Sequence, residues 1–279
     1  MPKMPAEKIR AHAEESARKR EQAEFAAQNP RPLVVDAAAV QRRNKIAAQL
    51  LAYYEDLVAL YLPEEALKRP PEEGWPYVNA ERFAFLDKTD TVIDLYRHLP
   101  YISQDDEAEY KMFERAIAVD YTGKHFKRKH VWTQDGEMEP PQYYEQMDGE
   151  PTWPKRLDDP RHIAVLAQTF KSTDQYILLD TRDGKVAQVF PRDEEDSVST
   201  DECETIQELI DSMKEGFRKL WILPVTPTDL LVARSTYLPD ADVAQIKELF
   251  RKYGWFTAKY NKEACMCEIR KIWDAFWQK

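Results

Sequence analysis

Glycine is scarce in this chain: seven in 279 residues, at 74, 123, 136, 149, 184, 216 and 254, none beside another. A dinucleotide-binding Gly-x-Gly-x-x-Gly turn or a phosphate-cradling Gly-rich loop needs clustered glycines for close backbone approach, so neither can be drawn. A Gly-x-Ser-x-Gly nucleophile elbow and a His-Glu-x-x-His helix are also missing. Three cysteines, Cys203, Cys265 and Cys267, cannot all pair with one another. A single Cys-x-Cys without a matching pair is poor zinc evidence, and no metal site or cofactor is expected. No apolar run approaches the roughly 20 residues of a membrane helix, and the N-terminal stretch lacks the apolar centre of a secretory signal. A soluble protein of a reducing compartment, the cytoplasm, is the expectation, with no membrane partner. Positive charge is also in deficit: 40 basic against 50 acidic residues, net −10. That excludes a bulk polycation coating nucleic acid, though not a local basic patch.

What is present suffices for a large core. Hydrophobic residues make up 43%, and 7 Trp, 14 Tyr and 11 Phe exclude disorder throughout. Residues 1–31 carry seven basic and five acidic residues and almost no bulky apolar ones, which reads as a solvated helical or disordered tail. Residues 32–279 then read as a single domain. Ile46, Leu50, Tyr53, Leu57 and Tyr61 recur at helical spacing up to Pro63. Lys68 to Trp75 is a turn-rich connector. Asn79 and Thr89 are candidate helix caps, and Val92, Leu95, Tyr96 and Leu99 share one helical face. Residues 133–161 hold five prolines and read as an ordered loop. Short β-rich runs follow at Ile163–Leu166, Tyr176–Leu179 and Val186–Phe190, the last two joined by Asp183-Gly184, a hairpin signal. After an acidic stretch (ten acids and one base over 193–215) come helices from about Thr205 to Leu220 and from Val243 to Tyr253, stopped at Gly254. A closing helix carries Ile269, Trp273 and Trp277, the tryptophans being expected in the core. The predicted class is α+β, with helices flanking a small, mainly antiparallel central sheet.

Two constellations carry chemistry. Pro100 ends one helix, and Ser103 with Asp106 spells a Ser-x-x-Asp capping box for another. On such a helix Asp105 and Glu109 lie one turn apart on one face, with Asp106 beside Glu109. The cluster suits a cation, a guanidinium or a proton in transit, and equally suits plain helix capping, because acids in a first turn favour the macrodipole. The second constellation is the run 124–130, where Lys124, Lys127, Arg128 and Lys129 place four positive charges around Phe126. It fits nucleic-acid phosphates with an aromatic ring available for stacking, or an ordinary solvated loop. His98 and His162 read as structural, and Cys265 and Cys267 as idle.

The run PPEEGWPYVNAERFAFLDKTDTVIDLYRHLP over 70–100, followed by Tyr101-Ile102, resembles a fungal family that includes the arginine-containing cyclodipeptide synthases. The likeness spans about residues 45–190. Asp105-Asp106-Glu107-Ala108-Glu109 matches that family's Asp-Asp-x-x-Glu motif residue for residue. The resemblance implies an aminoacyltransferase that takes arginine from arginyl-tRNA, joins it to a second aminoacyl group from another aminoacyl-tRNA, and closes a diketopiperazine. Aminoacyl esters arrive activated, so no ATP site is required, in keeping with the missing phosphate loops. A base for an α-ammonium group and donors for an oxyanion are required. Paired carboxylates would also suit the guanidinium fork. Asp105, Asp106 and Glu109 are the candidate catalytic and arginine-holding residues; Lys124, Lys127, Arg128 and Lys129 are the candidate tRNA contacts.

Two other readings compete. Asp-Asp-x-x-Glu also resembles the magnesium motif of terpene cyclases, but the second ligand set is missing and the β-rich centre conflicts with an all-α enzyme. Residues 163–190 resemble the central hairpin of the SUKH modules, which mostly bind other proteins; the acids would then be plain surface.

Overall fold

The computed structural model describes residues 30–104, 109–114, 116–123, 159–168, 176–189, 204–234 and 237–278. The first helix, α1 (Ala37–Leu60), is opened by Asp36, whose carboxylate accepts the Ala39 N–H at 2.7 Å. That bond satisfies one of the orphan donors of the first turn. Ile46, Leu50, Tyr53, Tyr54 and Leu57 form its buried stripe, following the 3.6-residue period. Each such aliphatic side chain contributes roughly 1.5–3 kcal/mol when buried. At the far end, Lys262 Nζ donates to the carbonyls of Val58 (2.7 Å) and Leu62 (2.8 Å), so a cation meets the negative end of the helix.

The connector after α1 contains β1 (Leu67–Lys68) and leads to the short helix α2 (Asp90–His98), which buries Val92, Ile93, Leu95 and Tyr96. Gly74 sits at φ +72°, and a Cβ there would lie 2.6 Å from the Arg97 carbonyl oxygen. Both facts demand glycine. The next residue, Trp75, donates its backbone N–H to that same carbonyl (2.7 Å) and its indole N–H to Leu99 O (2.8 Å), which clamps the connector onto the end of α2. Thr89 occupies the cap position of α2, yet its buried hydroxyl has no hydrogen-bond partner. Asn79 caps a turn instead, accepting the Arg82 N–H at 2.9 Å.

Antiparallel pairing then takes over. β2 (Tyr101–Ile102) pairs with β1. A six-stranded sheet follows, in chain order: β3 (Lys111–Phe113), β4 (Ala116–Ala118), β5 (Ile163–Gln168), β6 (Tyr176–Asp180), β7 (Lys185–Val189) and β8 (Glu204–Thr205). Every neighbouring pair is antiparallel. Residues 181–184 join β6 to β7, with Gly184 at φ +77° donating its N–H to Asp180 O at 2.8 Å. The Asp183-Gly184 signal therefore marks a real hairpin. At the edge strand β3, the carbonyls of Met112 and Lys111 accept from the hydroxyls of Tyr53 and Tyr61. These bonds occupy backbone acceptors that an open edge would expose.

Helix α3 (Ile206–Arg218) starts with a capping box in which Thr205 and Glu208 satisfy each other's backbone donors. A two-stranded sheet, β9 (Ile222–Pro224) and β10 (Leu230–Val232), leads to α4 (Asp240–Lys252), closed by Gly254 at φ +79°. The last helix is α5 (Lys262–Trp277). The class is α+β, with helices flanking antiparallel strands; the largest sheet, at six strands, is larger than the small one expected. Buried side chains from Ile46 of α1 to Trp273 of α5 form one connected hydrophobic cluster. Among the described residues no helix is long and apolar enough to cross a membrane.

Two expectations are overturned. Ser103 and Gln104 are not helical: the Ser103 N–H donates to Ala66 O at 2.7 Å, extending the β1–β2 pairing, and residues 109–110 are irregular before β3, while 105–108 of the expected helix lie outside the described residues. Pro100 biases Leu99 toward extended backbone, and Tyr101 and Ile102 are good strand formers, so strand pairing prevails over the local cap signal. Trp277 is not core. It is 62% exposed while Trp273, one turn earlier, is 7% exposed. The last turn of α5 has run past the layer that covers Trp273.

Candidate functional site

Of the seven side chains singled out for chemistry, Glu109 alone lies among the described residues, and it is exposed. Asp105, Asp106, Lys124, Lys127, Arg128 and Lys129 lie outside them. The structure nevertheless describes where both stretches begin. Gln104 precedes the acidic stretch and Gly123 precedes the basic one.

Both starting points converge on Asp120, which follows β4. Its carboxylate is buried, with 1% of the side-chain surface exposed. One oxygen accepts from Lys68 Nζ at 2.7 Å and, at a longer 3.4 Å, from the Gln104 backbone N–H. The other accepts from the Thr122 backbone N–H at 3.0 Å and its hydroxyl at 2.7 Å. The Asp120 carbonyl takes the Gly123 N–H at 2.9 Å. Gln104 in turn donates its side-chain amide to Tyr110 O at 3.2 Å, bridging the two described ends of the acidic stretch.

The surroundings are apolar and aromatic. Tyr54 and Tyr101 are buried, and burial first, with the nearby negative charge of Asp120 second, pushes both phenols above their ordinary range. They stay neutral at any physiological pH. Tyr96 and Tyr121 stack at a centroid distance of 3.7 Å behind Tyr101. In such a low-dielectric setting the Lys68–Asp120 attraction is much stronger than it would be in water. The Lys68 side chain is 19% exposed, so one end of the pair reaches the surface while the other stays dry.

Neither residue was singled out from sequence. Asp120 with Thr122 and Gly123 has the Asx-turn composition that could have flagged a turn. Lys68 stands in a Pro-rich connector and signals nothing by itself. Tertiary pairing of β1 and β2 is what brings it to Asp120.

The remaining candidates are structural. His98 Nδ1 lies 2.8 Å from Asp94 O and 3.4 Å from Asp94 Oδ1, and Asp94 is held by both oxygens to Arg43 of α1 at 2.7 and 2.9 Å. His162 sits 3.7 Å from Asp159 at the surface. Cys265 is buried, and burial pushes its thiol up to about 11, which leaves it unreactive; Cys267 is exposed. A small cavity between α1 and α2, lined by Arg42, Arg43, Ile46, Leu95 and Thr181, is bounded by side chains engaged in helix and turn contacts. Among the described residues no three His, Cys, Asp or Glu side chains gather as a metal-binding group. Comparison of the chain with known protein families, with characterised proteins and with solved structures finds no match.

Proposed function

We propose that this protein is a tRNA-dependent cyclodipeptide synthase that joins arginine from arginyl-tRNA to a second aminoacyl group and releases a cyclo(Arg-Xaa) diketopiperazine. The sequence resemblance suggests the chemistry. The observation that carries it is the Asp120 junction, where the residue before the acidic motif and the residue before the basic run bond to one buried aspartate. A tRNA-using transferase needs a cationic surface for phosphates close to carboxylates that handle the aminoacyl end, and a common anchor at the described ends of the two stretches supports that reading. In this reading Asp105, Asp106 and Glu109 divide base catalysis and guanidinium binding, and Lys124, Lys127, Arg128 and Lys129 meet tRNA phosphates.

The direct test is expression in a tRNA-containing host with mass spectrometry of the medium. Arginine-containing diketopiperazines should accumulate with the parent chain. They should fall at least ~10²-fold when the catalytic acid among Asp105, Asp106 and Glu109 is changed to its amide, the usual scale for a general base. No product from well-expressed soluble protein would overturn the proposal.

One observation favours a second reading, a SUKH-type protein-binding module. The β5–β6–β7 meander with its 181–184 turn is the element on which that resemblance rests. A module of this kind would make no diketopiperazine, and its amide variants would behave as the parent does.

A further inference from the structure

The chain carries a net charge of −10, yet the stretches 216–228, 230–239 and 249–261 contain no acidic residue. Between them they hold six bases: Arg218, Lys219, Arg234, Arg251, Lys252 and Lys259. The fold joins the three stretches. β9 and β10 pair the first with the second, and the Ala233 N–H donates to Trp221 O at 2.8 Å. The Trp255 indole N–H donates to Phe217 O at 2.8 Å, which ties the third to the end of α3. Two aromatic rings stand at this junction. Trp221 is 45% exposed, with Lys219 Nζ 4.8 Å from its ring centroid. Phe256 is partly buried, with the Arg218 guanidinium carbon 5.3 Å from its ring centroid. Both cations are attracted by a ring face and also share one carboxylate, Glu215. The backbone here is strained: Leu220 sits at φ +54° and Phe256 at φ +59°, left-handed conformations that bulky residues rarely adopt. At Leu220 that conformation buries its own side chain and leaves the next one, Trp221, at the surface. Strain of this kind clusters at ligand-binding positions.

We propose that Trp221 and Phe256, with Arg218, Lys219 and Arg234 around them, form a surface that binds single-stranded RNA. Unpaired bases stack on the rings and the phosphates between them meet the cations. Every base has a flat face for such a ring, whereas a duplex keeps those faces covered and an acidic peptide brings charge without them. Lys219 and Glu215 are both solvated, and an exposed pair of this kind contributes little. The Lys219 ammonium therefore swings from the Trp221 ring to a phosphate at small cost when a base takes its place. This surface is separate in sequence from the 124–129 run, and the inference does not rest on the transferase reading: an RNA bound here need carry no aminoacyl group.

The test is fluorescence anisotropy of a labelled single-stranded RNA of about 12 nucleotides, within the usual footprint of such surfaces, titrated with the full-length protein. The same RNA as a duplex and a poly-glutamate peptide serve as competitors. Trp221→Ala should weaken binding about 5–150-fold, the span of one base–aromatic stack, while Trp221→Phe keeps a ring and should retain most of the affinity. The double variant Lys219→Gln with Arg234→Gln should flatten the slope of log Kd against log salt by about 0.7 per lost phosphate contact. Trp277→Ala removes an exposed ring elsewhere and should bind as the parent does. Absence of RNA binding by the folded parent overturns the inference. So does W221A within about twofold of the parent, an unchanged salt slope in the double variant, or a competitor as effective as the single strand. None of these readouts needs a product, so a chain that binds the RNA through Trp221 but makes no diketopiperazine would overturn the transferase reading alone.

Discussion

Replacing either member of the Lys68–Asp120 pair removes far more than one hydrogen bond. Asp120 accepts four bonds, from Lys68, from Gln104 and twice from Thr122, with 1% of its side chain exposed. Asp120→Asn keeps an acceptor for Thr122 but turns a second donor toward the Lys68 ammonium. Breaking a buried pair by removing one charge costs about 3–5 kcal/mol. Lys68 is partly exposed and can recover some hydration, so the lower end of that range, about 3 kcal/mol, is expected. Lys68→Met leaves the deeper charge unpaired and should cost a similar amount. In the double variant no uncompensated charge remains, so its cost should fall short of the sum of the singles by at least ~1 kcal/mol, a coupling typical of groups in direct contact. Urea unfolding followed by tryptophan fluorescence measures all four proteins. Single variants whose costs add within about 0.5 kcal/mol would show that the two charges do not act as a pair, and the reasoning about the junction would fail.

Three further outcomes follow from the same structure. Gly74→Ala puts a side chain at φ +72° and 2.6 Å from the Arg97 carbonyl; with roughly 1–2 kcal/mol for the left-handed backbone alone, a loss of at least ~2 kcal/mol is expected in urea unfolding, and a loss below ~0.5 kcal/mol would contradict the close approach. The Arg31 guanidinium and the Val34 N–H hold the Asp90 carboxylate below its usual range. Its contribution to stability is therefore complete above the unfolded carboxylate pKa near 4 and fades as pH falls through the depressed folded value. Asp90→Asn should flatten the decline of Tm below about pH 4, and parallel curves for parent and variant would refute this. Tyr53→Phe deletes the hydroxyl donor to the buried Met112 carbonyl at the sheet edge and should cost about 1–3 kcal/mol, read by thermal unfolding; an unchanged Tm would remove that bond from the account.

Much of the fold is legible where one physical signal dominates. The Ile46–Leu57 stripe predicts α1 because a long amphipathic period has no strand alternative, and the helix expected from about Thr205 is α3, whose start the structure shows to be fixed by a Thr205–Glu208 capping box. Asp183-Gly184 predicts the β6–β7 connection because the left-handed turn position needs glycine. The prediction fails at Ser103, where a local cap competes with pairing to Ala66 and Leu67, residues some 35 positions earlier that no local pattern reveals. The same non-local pairing explains why Lys68 and Asp120 go unnoticed: each is ordinary in its own stretch, and only β1–β2 pairing and the Asx turn after β4 bring them together. Trp277 shows the limit of helical spacing, since periodicity assigns a face but not how far along a helix the core extends.

Transfer of arginine from arginyl-tRNA into a cyclic dipeptide is the activity proposed for this chain. Its most direct test is a purified reaction with isotopically labelled arginyl-tRNA and a mixture of other aminoacyl-tRNAs, read by mass spectrometry, with lysyl- and citrullyl-tRNA as competitors. The account predicts labelled cyclo(Arg-Xaa), with citrulline, uncharged but nearly the same shape, disfavoured by roughly 2–5 kcal/mol because it would leave a desolvated carboxylate unpaired. No labelled diketopiperazine from folded protein would contradict the transferase reading, and equal incorporation of citrulline would contradict arginine selection by carboxylates.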